Sequence, residues 1–149
     1  MKESFSRPKR LLCLALGKCK SSFNLEKAIC NHGLFMMAPN KWIPSTKSLQ
    51  RPLRLIDQHT SVTVTISHLP GEPNLHIYVH HKQALSLENQ QAILGQVARM
   101  LRISDEDEKT VNELQELYPQ AKEEGFGRIF RSPSIVEDVV KSILLCYCS

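Results

Sequence analysis

A chain of 149 residues, 42% hydrophobic and 6% aromatic, has the length of one ordinary domain or of two small lobes sharing a core. Six Gly and eight Pro exclude a collagenous or broadly disordered polypeptide, and the apolar runs fall short of the ~20 residues a membrane-spanning helix needs. The net charge of +4 conceals an asymmetry: residues 1–54 carry eleven Lys or Arg against Glu3 and Glu26, net +9, and the remainder is −5.

A basic half attracts polyanions, because each neutralised phosphate releases condensed counterions. A solubilising tail accounts for the same charge equally well. Residues 1–22 read as a basic flexible arm. Lys9-Arg10 precede the apolar run Leu11 to Leu16, which Lys18 and Lys20 close at the lower length limit of a signal-peptide core, so secretion is not expected. Arg7-Pro8-Lys9-Arg10 suits nuclear import, and the scarcity of acids before Glu26 suits organellar transit instead.

Further along, Asn24 is placed to cap a short helix over Leu25 to His32, with Glu26 in its first turn and Gly33 as its stop. Pro39 to Pro52 reads as loop or irregular strand, with Trp42 as a packing residue. The period then changes to two. Val62, Val64 and Ile66 alternate with Thr63, Thr65 and Ser67, and Leu75, Ile77 and Val79 alternate with His76, Tyr78 and His80. Joined by Pro70-Gly71-Glu72-Pro73, these form a β-hairpin with one apolar face, to which Leu53-Arg54-Leu55 adds a third strand. Such a sheet requires helices on its apolar face.

Three capped helices follow. Ser86 starts one that runs to about Leu101, with Leu87, Leu94, Val97, Ala98 and Leu101 near helical spacing. Ser104 and Asp107 start an acidic one that turns Val111, Leu114, Leu117 and Tyr118 inward, with Pro119 and Gly125 breaking the pattern. Ser134-x-x-Glu137 starts the last, Ile135 to about Leu145. On it Ile135, Val136, Val139, Val140 and Ile143 share one arc, with Leu144 at its edge. Burying each is worth roughly 1.5–3 kcal/mol, which places this helix inside a core. Only four residues follow Leu145 in this sequence. Either the sheet and the acidic helix cover the arc, or the fold needs more chain than is given.

The catalytic inventory is thin. Cys13, Cys19, Cys30, Cys146 and Cys148 make an odd count that reads as free thiols, and Cys146-x-Cys148 is at best half a metal site. His76 and His80 share a strand face, and His80-His81 are adjacent, but no carboxylate or Cys supports them at ligand spacing. G-x-S-x-G, Walker-A, Rossmann and His-Glu-x-x-His patterns do not occur. Gly125-Phe126-Gly127-Arg128 lacks the further glycine and preceding strand of a phosphate cradle.

Two blocks carry a resemblance. One is Gly127-Arg128-Ile129-Phe130-Arg131-x-Pro133 followed by Glu137-Asp138-Val139-Val140-x-x-Ile143-Leu144. The other comprises Phe23-Asn24-Leu25-Glu26-Lys27-Ala28 and Gly33-Leu34-Phe35-Met36-Met37-Ala38-Pro39-Asn40-x-Trp42. Over residues 23–145 the chain resembles the plant branch of the helix–hairpin–helix (HhH-GPD) base-excision DNA glycosylases, related to the 8-oxoguanine and 3-methyladenine enzymes. The resemblance implies an α+β fold in which an antiparallel sheet with flanking helices, half of a TATA-binding-like fold, braces a helical domain. That domain flips a base from the duplex and cuts its glycosidic bond.

In these terms 1–22 is the arm, 23–125 the N-terminal lobe and 126–149 the start of a truncated helical domain. The family's Leu-Pro-Gly-x-Gly loop and its later catalytic Asp have no counterpart after Leu145, and Leu69-Pro70-Gly71 lies between two strands. No residue is therefore assigned a catalytic, cofactor-binding or metal-ligating role, and no DNA-contacting residue is singled out. The expected partner is duplex DNA through the basic N-terminal region. The alternative is a protein-interaction module docking through the apolar face of the Ile135–Leu145 helix. No membrane association is expected.

Overall fold

Residues 10–147 are described by a computed structural model. From residue 10 the chain runs through strand β1 (Leu11–Ala15), a 3-10 turn (Gly17–Ser21), helix α1 (Leu25–Ile29) and a second 3-10 turn (Gly33–Met36). Four strands follow: β2 (Lys41–Ile43), β3 (Ser48–Arg54), β4 (Ser61–Ser67) and β5 (Asn74–His80). Helices α2 (Leu87–Leu101), α3 (Asp105–Leu117), α4 (Pro119–Glu124) and α5 (Ile135–Tyr147) complete an α+β fold.

The strands form one antiparallel sheet in the order β1-β5-β4-β3-β2. The alternation at 61–67 and 74–80 does place Val62, Val64, Ile66, Leu75, Ile77 and Val79 on one buried face. Leu49 and Leu53 extend that face on β3, and α1 and α2 cover it with Leu25, Ala28, Ile29, Ile93, Val97 and Met100. Burying apolar side chains from sheet and helix in one layer is the main driving force for this lobe.

Each predicted N-cap is present. Asn24 accepts from the Lys27 amide, Ser86 from Asn89, Ser104 from Asp107, and Ser134 from Glu137, at 3.0–3.3 Å. Every one satisfies an amide that the first helical turn leaves without a partner.

Several expectations are corrected. The arm over 1–22 does not hold from Leu11 onward: β1 is an edge strand with Leu11 opposite Tyr78 and Ala15 opposite Asn74. Residues 1–9, with Arg7-Pro8-Lys9, lie outside the described residues, as does Cys148. Helix α1 stops at Ile29 rather than His32, and Gly33 opens a 3-10 turn instead of closing a helix. Of the two readings of 39–52, loop or irregular strand, the strand holds over most of it, as β2 and β3, with Trp42 opposite Leu49. Leu87, Leu117 and Tyr118 point to solvent: Leu87 and Leu117 lie off the stripe that carries Ile93, Val97, Met100 and Val111 inward, and Tyr118 is the C-cap, where the backbone has left the helix. Pro119 not only ends α3 but occupies the first turn of α4, where its missing N–H costs nothing.

The last correction concerns α5. The sheet does not cover its apolar arc: Ile135 is 79% exposed and Val139 51%, whereas Lys141 on the opposite side is 3% exposed. The helix docks on the lobe by its charged side.

Candidate functional site

Residues 126–134 connect α4 to α5 without regular structure, yet they are tied down along their length. The Arg128 carbonyl accepts from Asn31 Nδ2, the Ile129 carbonyl from Arg102 Nε at 3.1 Å, and the Pro133 carbonyl from Arg99 Nη1. The Arg131 amide donates to the Met100 carbonyl at 3.1 Å, and His32 Nε2 sits 2.7 Å from the Phe130 carbonyl. Phe130 itself is 2% exposed and belongs to the core. The backbone of this strap is thereby paired to the turn after α1 and to the end of α2 rather than to a sheet.

Arg128 enters the protein rather than a phosphate site. Its guanidinium donates to the Glu108 carboxylate, to Ser22 Oγ at 3.1 Å and to the Arg102 carbonyl at 2.7 Å. Ser22 Oγ in turn donates to Glu108 Oε1 at 2.7 Å, and the Phe23 ring lies 5.7 Å from the guanidinium carbon. This knot joins α3, the start of α1 and the strap. Gly127 has φ +145°, and a Cβ there would meet Val111 Cγ1 at 3.0 Å, so its glycine is explained by close packing on α3 and not by anion binding.

A second knot seats α5. Arg51 projects inward from β3, in line with Leu49 and Leu53, and reaches Glu137 in a bidentate pair at 2.8 and 3.2 Å. Its Nη1 also donates to Asn40 Oδ1 at 2.9 Å. From α5, Lys141 Nζ donates to Glu137 Oε1 at 2.6 Å and to Ser132 Oγ at 3.1 Å, while the Ser132 amide donates to Asp138 at 2.9 Å. Burial pushes the Glu137 carboxyl up, but the Arg51 and Lys141 cations outweigh it and hold the group below the usual glutamate range.

Beside this knot, β3, α2 and α5 enclose a cleft of ≈ 900 Å³ bordered by Met37, Pro52, Gln96, Val136, Val140 and Leu144. Its charged groups are engaged: Glu137 by two cations, Arg99 by the Pro133 carbonyl, Arg54 by the Gln58 carbonyl at 3.0 Å. The cleft therefore offers an apolar wall and hydrogen-bonding groups, and its one carboxylate is saturated rather than poised for proton transfer.

The sequence-derived candidates are scattered. His76 and His80 lie on the outward face of β5, where His80 Nε2 contacts Thr65 Oγ1 at 2.7 Å, and His81 bonds the Gln83 carbonyl. Among the described residues no three His, Cys, Asp or Glu side chains converge as metal ligands. Cys13 and Cys146 are exposed, Cys19 is buried and Cys30 half-buried, all as free thiols. Burial, then the Glu26 charge, raises the Cys30 thiol above its ordinary value. The basic half is partly neutralised: Lys18 pairs with Asp105 at 2.9 Å, Lys47 with Glu26 at 2.8 Å, and Arg51 with Glu137.

Arg51, Glu108, Arg128 and Lys141 received no role from sequence reasoning. A charge at an inward strand position, Arg51 between Leu49 and Leu53, and a Glu137/Lys141 pair four apart on a helix were the available signals. No helix is long and apolar enough to cross a membrane among the described residues. No family model matches the chain, and no curated protein or solved structure matches it either.

Proposed function

We infer that this chain is the N-terminal lobe, with the first helix of the helical domain, of an HhH-GPD base-excision DNA glycosylase acting in DNA repair. The observation that carries this reading is the seat of α5. An amphipathic helix is locked to an antiparallel sheet by Arg51–Glu137–Lys141 while its apolar arc faces outward, the arrangement a bracing lobe needs to present the start of a second helical layer. The block from Gly127 onward that resembles the family supplies structure here: Arg128, Phe130 and Pro133 form the strap, and Glu137 the latch. In the family's terms the sheet and its helices are the half-TATA-binding-like lobe, and the nucleus is the expected compartment, with an organelle as the alternative.

The residues given hold no Leu-Pro-Gly-x-Gly loop, since Leu69-Pro70-Gly71 is followed by Glu72-Pro73. By itself the chain is expected to release no base from duplexes carrying 8-oxoguanine or alkylated purines. Incubating the purified protein with such duplexes and resolving the products checks this, and measurable base release overturns it. Duplex binding through the basic N-terminal region is expected to be weak and to fall steeply with added salt.

A second reading rests on one specific observation, the exposure of Ile135, Val136, Val139, Val140 and Ile143. An interaction module would lay this face in a partner's groove with anchors at i, i+3, i+4 and i+7. A stoichiometric complex that buries α5 favours the module, and a monomer with α5 solvent-accessible favours the glycosylase lobe.

A further inference from the structure

The sheet has a second face outside the core, which borders the α5 cleft at Pro52 and Arg54. Its register aligns Leu11, Tyr78, Thr65, Gln50 and Lys41 in one row across all five strands. Among the described residues Leu11, Tyr78 and Lys41 are exposed and Thr65 and Gln50 half-buried, so none of the row is closed off by the core. At a strand spacing of ~4.8 Å the row spans about 19 Å.

The charge on this face is one-sided. None of the five strands contains an Asp or Glu, and the face's formal charges are Lys41 and Arg54. Acidic residues concentrate instead on α3, with Asp105, Glu106, Asp107 and Glu108 in its first turn. A polyanion approaching the sheet meets cations, imidazoles and hydroxyls without a carboxylate among them.

The face also carries rings. Tyr78 is 42% exposed, and His80 meets it edge-on with centroids 4.9 Å apart and planes at 80°. His80 is fixed in turn by Thr65, whose Oγ1 also accepts from Gln50 Nε2 at 3.4 Å. The centre of the row is thus pre-organised, with its aromatic ring held by a neighbour and turned to solvent.

A broad sheet face is the wrong shape for a duplex groove, which admits a helix or a two-stranded ribbon. Unpaired bases, by contrast, present π faces that stack on exposed aromatic side chains regardless of sequence. We propose that the outward face of the sheet binds single-stranded nucleic acid, with bases stacked on Tyr78 and His80 and phosphates met by Lys41 and Arg54. This site stands on exposure and charge alone and does not depend on the glycosylase reading.

The test is fluorescence anisotropy of a labelled oligothymidylate of about 15 nucleotides, a length within the site sizes of sheet-based binders, titrated with the full chain at low salt. Wild type is expected to bind, more tightly than it binds a duplex of the same length, and to release the strand as salt rises. Tyr78→Ala is expected to weaken binding about tenfold, the loss of one base–aromatic stack, while Tyr78→Phe keeps it. Thr65→Glu, which sets a carboxylate in the middle of the row, is expected to weaken it as well. Absence of binding by wild type overturns the proposal, and so does equal affinity for the duplex. A Tyr78→Ala variant that binds like wild type overturns it too. Should Thr65→Glu fail to fold by circular dichroism, the contrast between the Ala and Phe variants at the exposed Tyr78 decides alone.

Discussion

The lobe and the helix α5 are held by opposite kinds of force. In the lobe, Val64, Ile66, Leu75, Ile77, Ile93 and Val97 are wholly removed from water and the polar residues of β4 and β5 alternate with them on the outer face. On α5 the relation is inverted: Lys141 is buried, Glu137 is clamped between two cations, and Ile135 and Val139 stand in solvent. Hydrophobic burial is non-directional and tolerates small shifts, whereas a bidentate guanidinium–carboxylate pair fixes orientation. The lobe is thus built for stability and the α5 seat for position.

Breaking the latch has the largest expected effect. Glu137→Gln leaves Arg51 and Lys141 as buried cations without a counterion, an arrangement that costs ~3–5 kcal/mol when one partner of a buried pair is lost. Hydrogen exchange is expected to show the α5 amides losing protection while β4 and β5 keep theirs; equal loss in both would erase the distinction between the regions. Acid acts in the same direction on the wild type. The Glu137 carboxyl titrates lower in the folded protein than in the unfolded chain, so its contribution is present above the ordinary glutamate value. It is lost as pH falls through the lower folded value.

In the core, Ile77→Ala is expected to cost ~2–5 kcal/mol in urea unfolding, because it removes transfer energy and leaves a cavity. On the apolar arc of α5, Ile143→Gln is expected to change stability by no more than about 0.5 kcal/mol, since the side chain is 51% exposed. A cost near that of Ile77→Ala would mean the arc is covered in solution.

Much of the lobe was legible because its signals are local. Period-two alternation marked β4 and β5, and the four cap residues Asn24, Ser86, Ser104 and Ser134 marked helix starts correctly. What escaped depends on distant partners. Leu11–Ala15 shows no alternation, and only its pairing with β5 makes it a strand. Pro52 disguised β3, yet β2 pairs only Ser48 to Gln50, so Pro52 sits where that edge is already free and needs no amide. Arg51 and Lys141 are buried against the usual preference of their side chains, and only tertiary geometry shows that Glu137 compensates both. The apolar arc of α5 was legible as an amphipathic pattern. Its direction was not, because periodicity identifies a face without saying which way it turns.

The position of β1 also bears on how the protein comes to be made. Leu11 pairs with Tyr78, so the edge strand is synthesised 67 residues before the strand that receives it. At roughly 5–20 residues per second on the ribosome, that interval lasts about 3–13 s. Throughout it Leu11, Leu12 and Leu14 present an apolar segment with unsatisfied amides, the kind of strand that nascent-chain chaperones exist to shield.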